Sequence, residues 1–383
     1  MSDFSLAGYG GTRLTRRGLG DAARAARNPL LFGLLPALMV TLMLGASIGD
    51  HFAFDFHQFW QGGRDVLNGR SPYPPAGSLP HGGDPTLGPV EIQQVFKFPY
   101  PAPAALALVP LGALPFGVAA ALFVIASIGA VFLALRLLEV ADWRCYGLVF
   151  GSIATLGALR LGTFTPLLLL GLAAAWRFRD RPWVAGPIVA ALIVVKLFLW
   201  PVLIWLVLSR RLRTAAITCA MALAATLAGW AALGFSGLSD YPRLLSTLAD
   251  SVQGKSWSVV AFGLSLGLSA TFAKALAVAL GAAVLGVALL APREKRDPWA
   301  FALAVAAAIL LSPIVWLHYF LLLAAPLAIA FPALGPAWLI SLALWAWPFQ
   351  ETGGDAWKIA LGLLVGAAMT AAALRSTPRL RPA

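Results

Sequence analysis

Apolar runs recur along this chain from about residue 30 to residue 374, broken only by short polar turns. No other feature restricts the fold as severely. A helix of roughly 20 apolar residues spans a hydrocarbon core, and within that core every backbone polar group must be paired inside the protein. Charged residues are 11% of the chain, against about 25% in soluble domains. Charge therefore cannot coat a water-facing surface, and soluble enzyme folds are excluded. The runs fall at about 30–48, 116–135, 145–160, 163–176, 184–195, 197–208, 214–233, 271–291, 299–313, 314–331, 332–347 and 357–374. They predict an all-α polytopic membrane protein of about twelve transmembrane segments. A further apolar stretch, 104–115, follows the proline-set Lys97-Phe98-Pro99-Tyr100-Pro101-Ala102-Pro103 and reads as an interfacial or re-entrant helix.

The net charge of +12 raises nucleic acid as a partner. The bases, however, lie in short clusters between apolar runs and form neither a continuous basic face nor a recognition motif, so no nucleic-acid partner is expected. Basic loops beside membrane helices mark the cytoplasmic side. Arg13, Arg16, Arg17, Arg24 and Arg27 precede the first run. Threading the runs alternately gathers Arg177, Arg179 and Arg181 on that side, then Arg210, Arg211 and Arg213, then Arg293, Lys295 and Arg296, and finally Arg375, Arg379 and Arg381. This requires 184–208 to be a hairpin, with Lys196 and Pro201 supplying the break; a single helix is the alternative. The expected organisation is a cytoplasmic tail over 1–29, one membrane domain over 30–374 whose main extracytoplasmic loop is 49–98, and a cytoplasmic tail over 375–383. The polar, Arg-rich start carries no cleavable signal pattern. Cys145 and Cys219 lie in apolar runs without metal-ligand spacing and read as packing residues.

Candidate chemistry gathers on the opposite side. Asp55 follows the first run within Phe54-Asp55-Phe56-His57-Gln58-Phe59-Trp60. Partial burial there would raise its pKa and suit it to proton abstraction; a solvated interfacial acid or a helix N-cap is the plainer reading. Tyr73, in Asn68-Gly69-Arg70-Ser71-Pro72-Tyr73, could donate to a sugar or phosphate oxygen or simply anchor its loop at the interface. Lys97 lies in the same outer region. Lys196 falls inside an apolar stretch, where a cation is usually functional or paired. Arg160 ends one run, and His318 occupies a turn, Ser312-Pro313-Ile314-Val315-Trp316-Leu317-His318-Tyr319, where a hydrogen-bonded core histidine is the ordinary case. The threading brings Asp55, His57, Arg160, Lys196 and His318 to one depth. A carboxylate beside several cations suits a reaction on a lipid-linked phosphate: the cations stabilise the leaving phosphate and the carboxylate takes a proton from the attacking hydroxyl.

The order of these motifs, with Leu114-Pro115-Phe116, Gly162-Thr163-Phe164-Thr165-Pro166-Leu167-Leu168 and Lys196 ahead of Pro201, resembles glycosyltransferase family 87 over roughly residues 40–330. The resemblance implies a GT-C fold, an active site at the extracytoplasmic face, a polyprenyl-phosphate sugar donor, most often mannose, a lipid or glycan acceptor, and inversion at the anomeric carbon. By motif position it implies Asp55 as general base, with Lys196, His318 and Arg160 as contacts to the donor phosphate; His57, Tyr73 and Lys97 are further candidates for substrate binding. Members of the family often carry Gly-Gln-x-Asn where this chain has Gly162-Thr163-Phe164-Thr165, so hydroxyls replace amides. Asp55 has no Asp-x-Asp partner, which favours a metal-independent reaction without cofactor, although Asp50 or Glu351 could approach to hold a divalent metal. The competing readings are a polyprenyl-phosphate-arabinose-dependent arabinofuranosyltransferase and, from another class, a lipid or solute transporter. A transporter would place its polar residues near the bilayer midplane and often show inverted repeats; neither is evident here.

Overall fold

The computed structural model describes residues 27–46, 52–75, 77–80, 82–346 and 352–375. Most of both tails, along with Asp50 and Glu351, therefore lies outside the described residues. The described chain is helical and contains no strand. Among the described residues five helices are long and apolar enough to cross a membrane alone: Arg27–Ala46, Phe116–Leu137, Leu212–Ala232, Ala270–Leu290 and Ala356–Arg375. Ile153–Leu161 and Thr165–Arg177 add a sixth if counted as one broken span, bent by 117°. Pro182–Val195, Leu197–Leu208, Leu317–Ala330 and Pro336–Ala346 are apolar but shorter. Helix positions follow the apolar runs closely. The expected segment 145–160 is divided, because Gly151 ends Trp143–Phe150 and Ser152 then caps Ile153–Leu161 by accepting from the Thr155 N–H. The stretch 104–115 becomes two short helices, Ala102–Ala107 and Val109–Gly112.

Contacts define two ends of the bundle. At one, Arg211 binds Asp180 at 2.9 Å and Asp297 at 2.7 Å, and Asp297 also accepts from Arg179, Trp205 and Ser209. Asp180 precedes Pro182–Val195 and Arg211 follows Pro201–Leu208, so one ion pair fixes both ends of 182–208 at the same level. The segment therefore doubles back. The helix stops at Lys196, whose backbone is extended, and resumes through the short turn Leu197–Leu199 into Pro201–Leu208. A proline at the start of that second helix fits because its missing N–H would be unpaired there in any case.

The turning point lies at the other end, with most of the long loops. Thr165–Arg177 begins there and runs to the ion-pair end; Arg296–Leu311 begins at Asp297 and returns. The long segment between the first two spans carries two helices, Phe54–Leu67 and Pro89–Phe96. Gly63 and Gly112 let the first of these press backbone to backbone on Val109–Gly112, since a Cβ at Gly63 would strike the Leu108 carbonyl and one at Gly112 the Arg64 amide. This apposition holds the helix that carries Asp55 on the bundle.

Candidate active site

Asp55 is set by the chain just before it. Ala53, in left-handed backbone (φ 53°), donates its N–H to the Arg160 carbonyl at 3.0 Å, joining the start of Phe54–Leu67 to the end of Ile153–Leu161. There Gly162 terminates the helix at φ +67°, a conformation that costs a residue with a Cβ about 1–2 kcal/mol; an added Cβ would also lie 2.7 Å from Phe56 Cβ. Gln93 donates to the Phe54 carbonyl at 2.9 Å. Asp55 thus occupies the first turn of an anchored helix, half-buried, and among the described residues its carboxylate has no hydrogen-bond partner. Burial pushes this carboxyl up to about 6, against the opposing pull of the Lys196 charge.

Lys196, at the hairpin's turning point, donates to the hydroxyls of Tyr100 at 3.2 Å and Tyr319 at 3.0 Å. No carboxylate among the described residues lies within ion-pair distance. Phenol oxygens solvate the ammonium without neutralising it, so the cation keeps its attraction for an anion. Phe198 stacks on Tyr319 at 4.8 Å, and Phe59 meets Tyr100 at 4.8 Å and Phe164 at 4.4 Å, walling the cluster with aromatic rings. His318 is 3% exposed; its Nδ1 pairs with Thr165 Oγ1 at 2.7 Å and its buried Nε2 has no partner among the described residues. Lys196 acts electrostatically on both Asp55 and His318.

The tertiary structure therefore brings together three of the residues singled out from sequence: Asp55, Lys196 and His318. Arg160 reaches the group through its carbonyl on Ala53, and its half-buried guanidinium has no carboxylate partner among the described residues. His57 points elsewhere, packing its ring on Trp60 and Phe116. Tyr73 is buried, donates to the Tyr100 carbonyl at 2.8 Å and stacks on Trp230 at 4.9 Å, so it holds the loop carrying Tyr100. Lys97 is exposed, at φ 29°. The site residues that sequence reasoning passed over are Tyr100, Tyr319 and Thr165. A cue existed: the chain has only six tyrosines, and two fall inside the Pro99-Tyr100-Pro101 and His318-Tyr319 motifs. Among the described residues no three His, Cys, Asp or Glu side chains gather closely enough to hold a metal.

Fold and site define a helical membrane protein with a carboxylate, an unneutralised ammonium and an imidazole converging at one end of the bundle. The pattern of glycosyltransferase family 87 matches residues 98–315, more than half of the chain, and the chain belongs to that family, a membrane glycosyltransferase. No curated protein and no solved structure matches it.

Proposed function

We propose that this protein transfers a sugar, mannose in the first instance, from a polyprenyl-phosphate donor to a hydroxyl of a lipid or glycan acceptor. The observation that carries the reading is the juxtaposition of Asp55, with its raised pKa, and the half-buried Lys196, which has no carboxylate partner among the described residues. The Asp55 carboxylate takes the acceptor hydroxyl's proton as that oxygen attacks the anomeric carbon. The new glycosidic bond forms on the face opposite the departing group, the anomeric carbon–phosphate oxygen bond breaks, and polyprenyl phosphate leaves with its electron pair. Lys196 and His318 meet the phosphate, whose charge rises as the bond breaks. Arg160, whose carbonyl holds the start of the Asp55 helix, adds a weaker contact to the same phosphate in this reading. The aromatic walls exclude water, which would otherwise compete as acceptor.

In this reading the twelve-segment threading holds, with 30–374 as a single GT-C-like domain, the basic loops and the tails 1–29 and 375–383 cytoplasmic, and the site extracytoplasmic. Membranes containing wild type are expected to incorporate label from polyprenyl-phosphate-mannose, and Asp55→Asn to do so 10²- to 10⁴-fold more slowly. Unchanged transfer by Asp55→Asn in a folded protein would remove Asp55 from the mechanism. Incorporation only from polyprenyl-phosphate-arabinose would replace the sugar and keep the chemistry.

A further inference from the structure

The first membrane helix is held to the molecule mainly along one edge. In Arg27–Ala46 only 11% of the spanning window is buried, against 50% in Phe116–Leu137. The helix packs on Trp143–Phe150 and Ile153–Leu161. It comes closest at Gly147, where a Cβ would strike the Phe32 backbone, and Pro36 lies over Gly151. Between its other edge and Phe116–Leu137 lies a cleft of about 610 Å³, a size that suits a bound organic molecule. Its walls are largely apolar and aromatic. Phe32 meets Trp143 edge-on at 6.5 Å, and Phe132 lies 5.3 Å from Tyr146.

One charge breaks this apolar lining. Arg136, in the last turn of Phe116–Leu137, lines the cleft, and its side chain has no hydrogen bond or ion pair among the described residues. The nearby Arg144 differs, because Asp142 holds it at 2.7 Å. Glu139, in left-handed backbone at φ 59°, forms no ion pair with Arg136 among the described residues. Arg136 acts electrostatically on Tyr146, so cation and phenol share one end of the cleft. That end is far from the candidate active site. Phe116 packs on Phe56 and His57, and Arg136 lies at the other end of the same helix, about 30 Å away at 1.5 Å per residue. A phosphate on Lys196 is therefore out of its reach. An unpaired arginine beside a tryptophan and a tyrosine, at the edge of an apolar cleft, suits a lipid phosphate above its acyl chain.

We propose that this cleft binds one anionic phospholipid, its phosphate on Arg136 and an acyl chain between the first membrane helix and Phe116–Leu137. Charge selects the class of lipid. Arg27 begins the first helix at the same end, so a zwitterionic headgroup would bring its ammonium among like charges, whereas a net negative one meets only attraction. Bound there, the lipid covers the free edge of the first helix and ties it to the bundle. The inference is independent of the sugar-transfer chemistry; only the assignment of the lipid to the cytoplasmic leaflet rests on the proposed threading.

The test uses the full-length protein in an uncharged detergent, with phosphatidylglycerol as the probe and native mass spectrometry and thermal unfolding as readouts. Wild type should retain a single phosphatidylglycerol per chain and unfold at a higher temperature with it; phosphatidylcholine should do neither. Arg136→Gln should weaken binding about fivefold, the worth of one arginine near a lipid surface. Ala37→Trp, which fills the cleft without changing charge, should also weaken it. Arg293→Gln, at a basic position outside the cleft, should bind as wild type does. Phosphatidylglycerol with a photoreactive acyl chain should crosslink wild type within 32–41 or 128–136, a result that needs no variant to fold. Equal binding of both phospholipids, unchanged binding by Arg136→Gln, or crosslinks confined to other segments would overturn the proposal. Displacement of the phospholipid by equimolar polyprenyl phosphate would give the cleft to the substrate lipid and overturn it too. No sugar donor is present, so failure of the proposed transfer reaction would leave these outcomes untouched.

Discussion

At the scale of single residues, the candidate site holds one carboxyl with a raised pKa and one cation that has no carboxylate partner among the described residues. A carboxyl raised to about 6 is charged at neutral pH yet still binds a proton readily, which is what a general base needs. Transfer is expected to fall about tenfold per unit as pH drops below about 6, because the base form is depleted, and this acid limb should vanish in the residual activity of Asp55→Asn. Stability has the opposite sign. Asp55 has a pKa above its unfolded value, so its contribution is full in the protonated form and is lost as pH rises through about 6. Asp55→Asn should therefore raise the thermal midpoint above that pH while destroying activity; an unaltered midpoint would mean the carboxylate is solvated. Asp55 and Lys196 were both legible in the sequence, one as an acid among aromatics and the other as a cation in an apolar stretch. Tyr100 and Tyr319 were not, because a tyrosine at a membrane edge is ordinary and only folding brings their hydroxyls to the same ammonium.

Among the elements, the Phe54–Leu67 helix matters most, since its anchoring sets where Asp55 stands. Its N-terminal hold depends on Gly162, whose left-handed backbone and close approach to Phe56 leave no room for a side chain. Gly162→Ala should destabilise the protein by about 1–3 kcal/mol and lower kcat more than it changes KM, read from thermal unfolding in detergent and from transfer kinetics. A variant with wild-type midpoint and rate would show that the junction tolerates a Cβ. Arginines on both flanks favoured a hairpin over a single helix for 184–208, and the Arg211–Asp180 pair places those flanks together. The split of 145–160 at Gly151 and Ser152 was missed, because an apolar window does not register a two-residue break inside it.

For the whole molecule, the ion-pair end and the site end are coupled through the hairpin and through Thr165–Arg177, which touch both. Asp297 accepts five hydrogen bonds from Arg179, Trp205, Ser209 and Arg211. Asp297→Ala would leave a partly buried guanidinium short of a counter-ion, a change that costs about 3 kcal/mol, and the thermal midpoint should fall accordingly. A midpoint within a degree of wild type would make the network dispensable. Sidedness can be read in cells with single cysteines on a Cys145→Ala, Cys219→Ala background. A membrane-impermeant thiol reagent should label Ser78→Cys from outside and reach Arg293→Cys only after permeabilisation. Labelling of both from outside would break the proposed threading.

The sequence alone determined that this chain is a helical membrane protein of glycosyltransferase family 87, because apolar length and the order of short motifs are local properties that survive in one dimension. For 184–208 it favoured a hairpin through the charge on both flanks but left a single helix open, and the Arg211–Asp180 contact is what brings the two flanks together. Only the tertiary structure decided which polar residues share a site. Asp55, Tyr100, Thr165, Lys196 and His318 come from five separate segments, and whether a half-buried cation meets a carboxylate or two phenols depends on packing between helices far apart in the chain. His57 and Lys196 look equally suggestive as letters. One packs against Trp60 and Phe116 away from the cluster, and the other stands at its centre, because helix phase and the break at residue 196 aim their side chains differently.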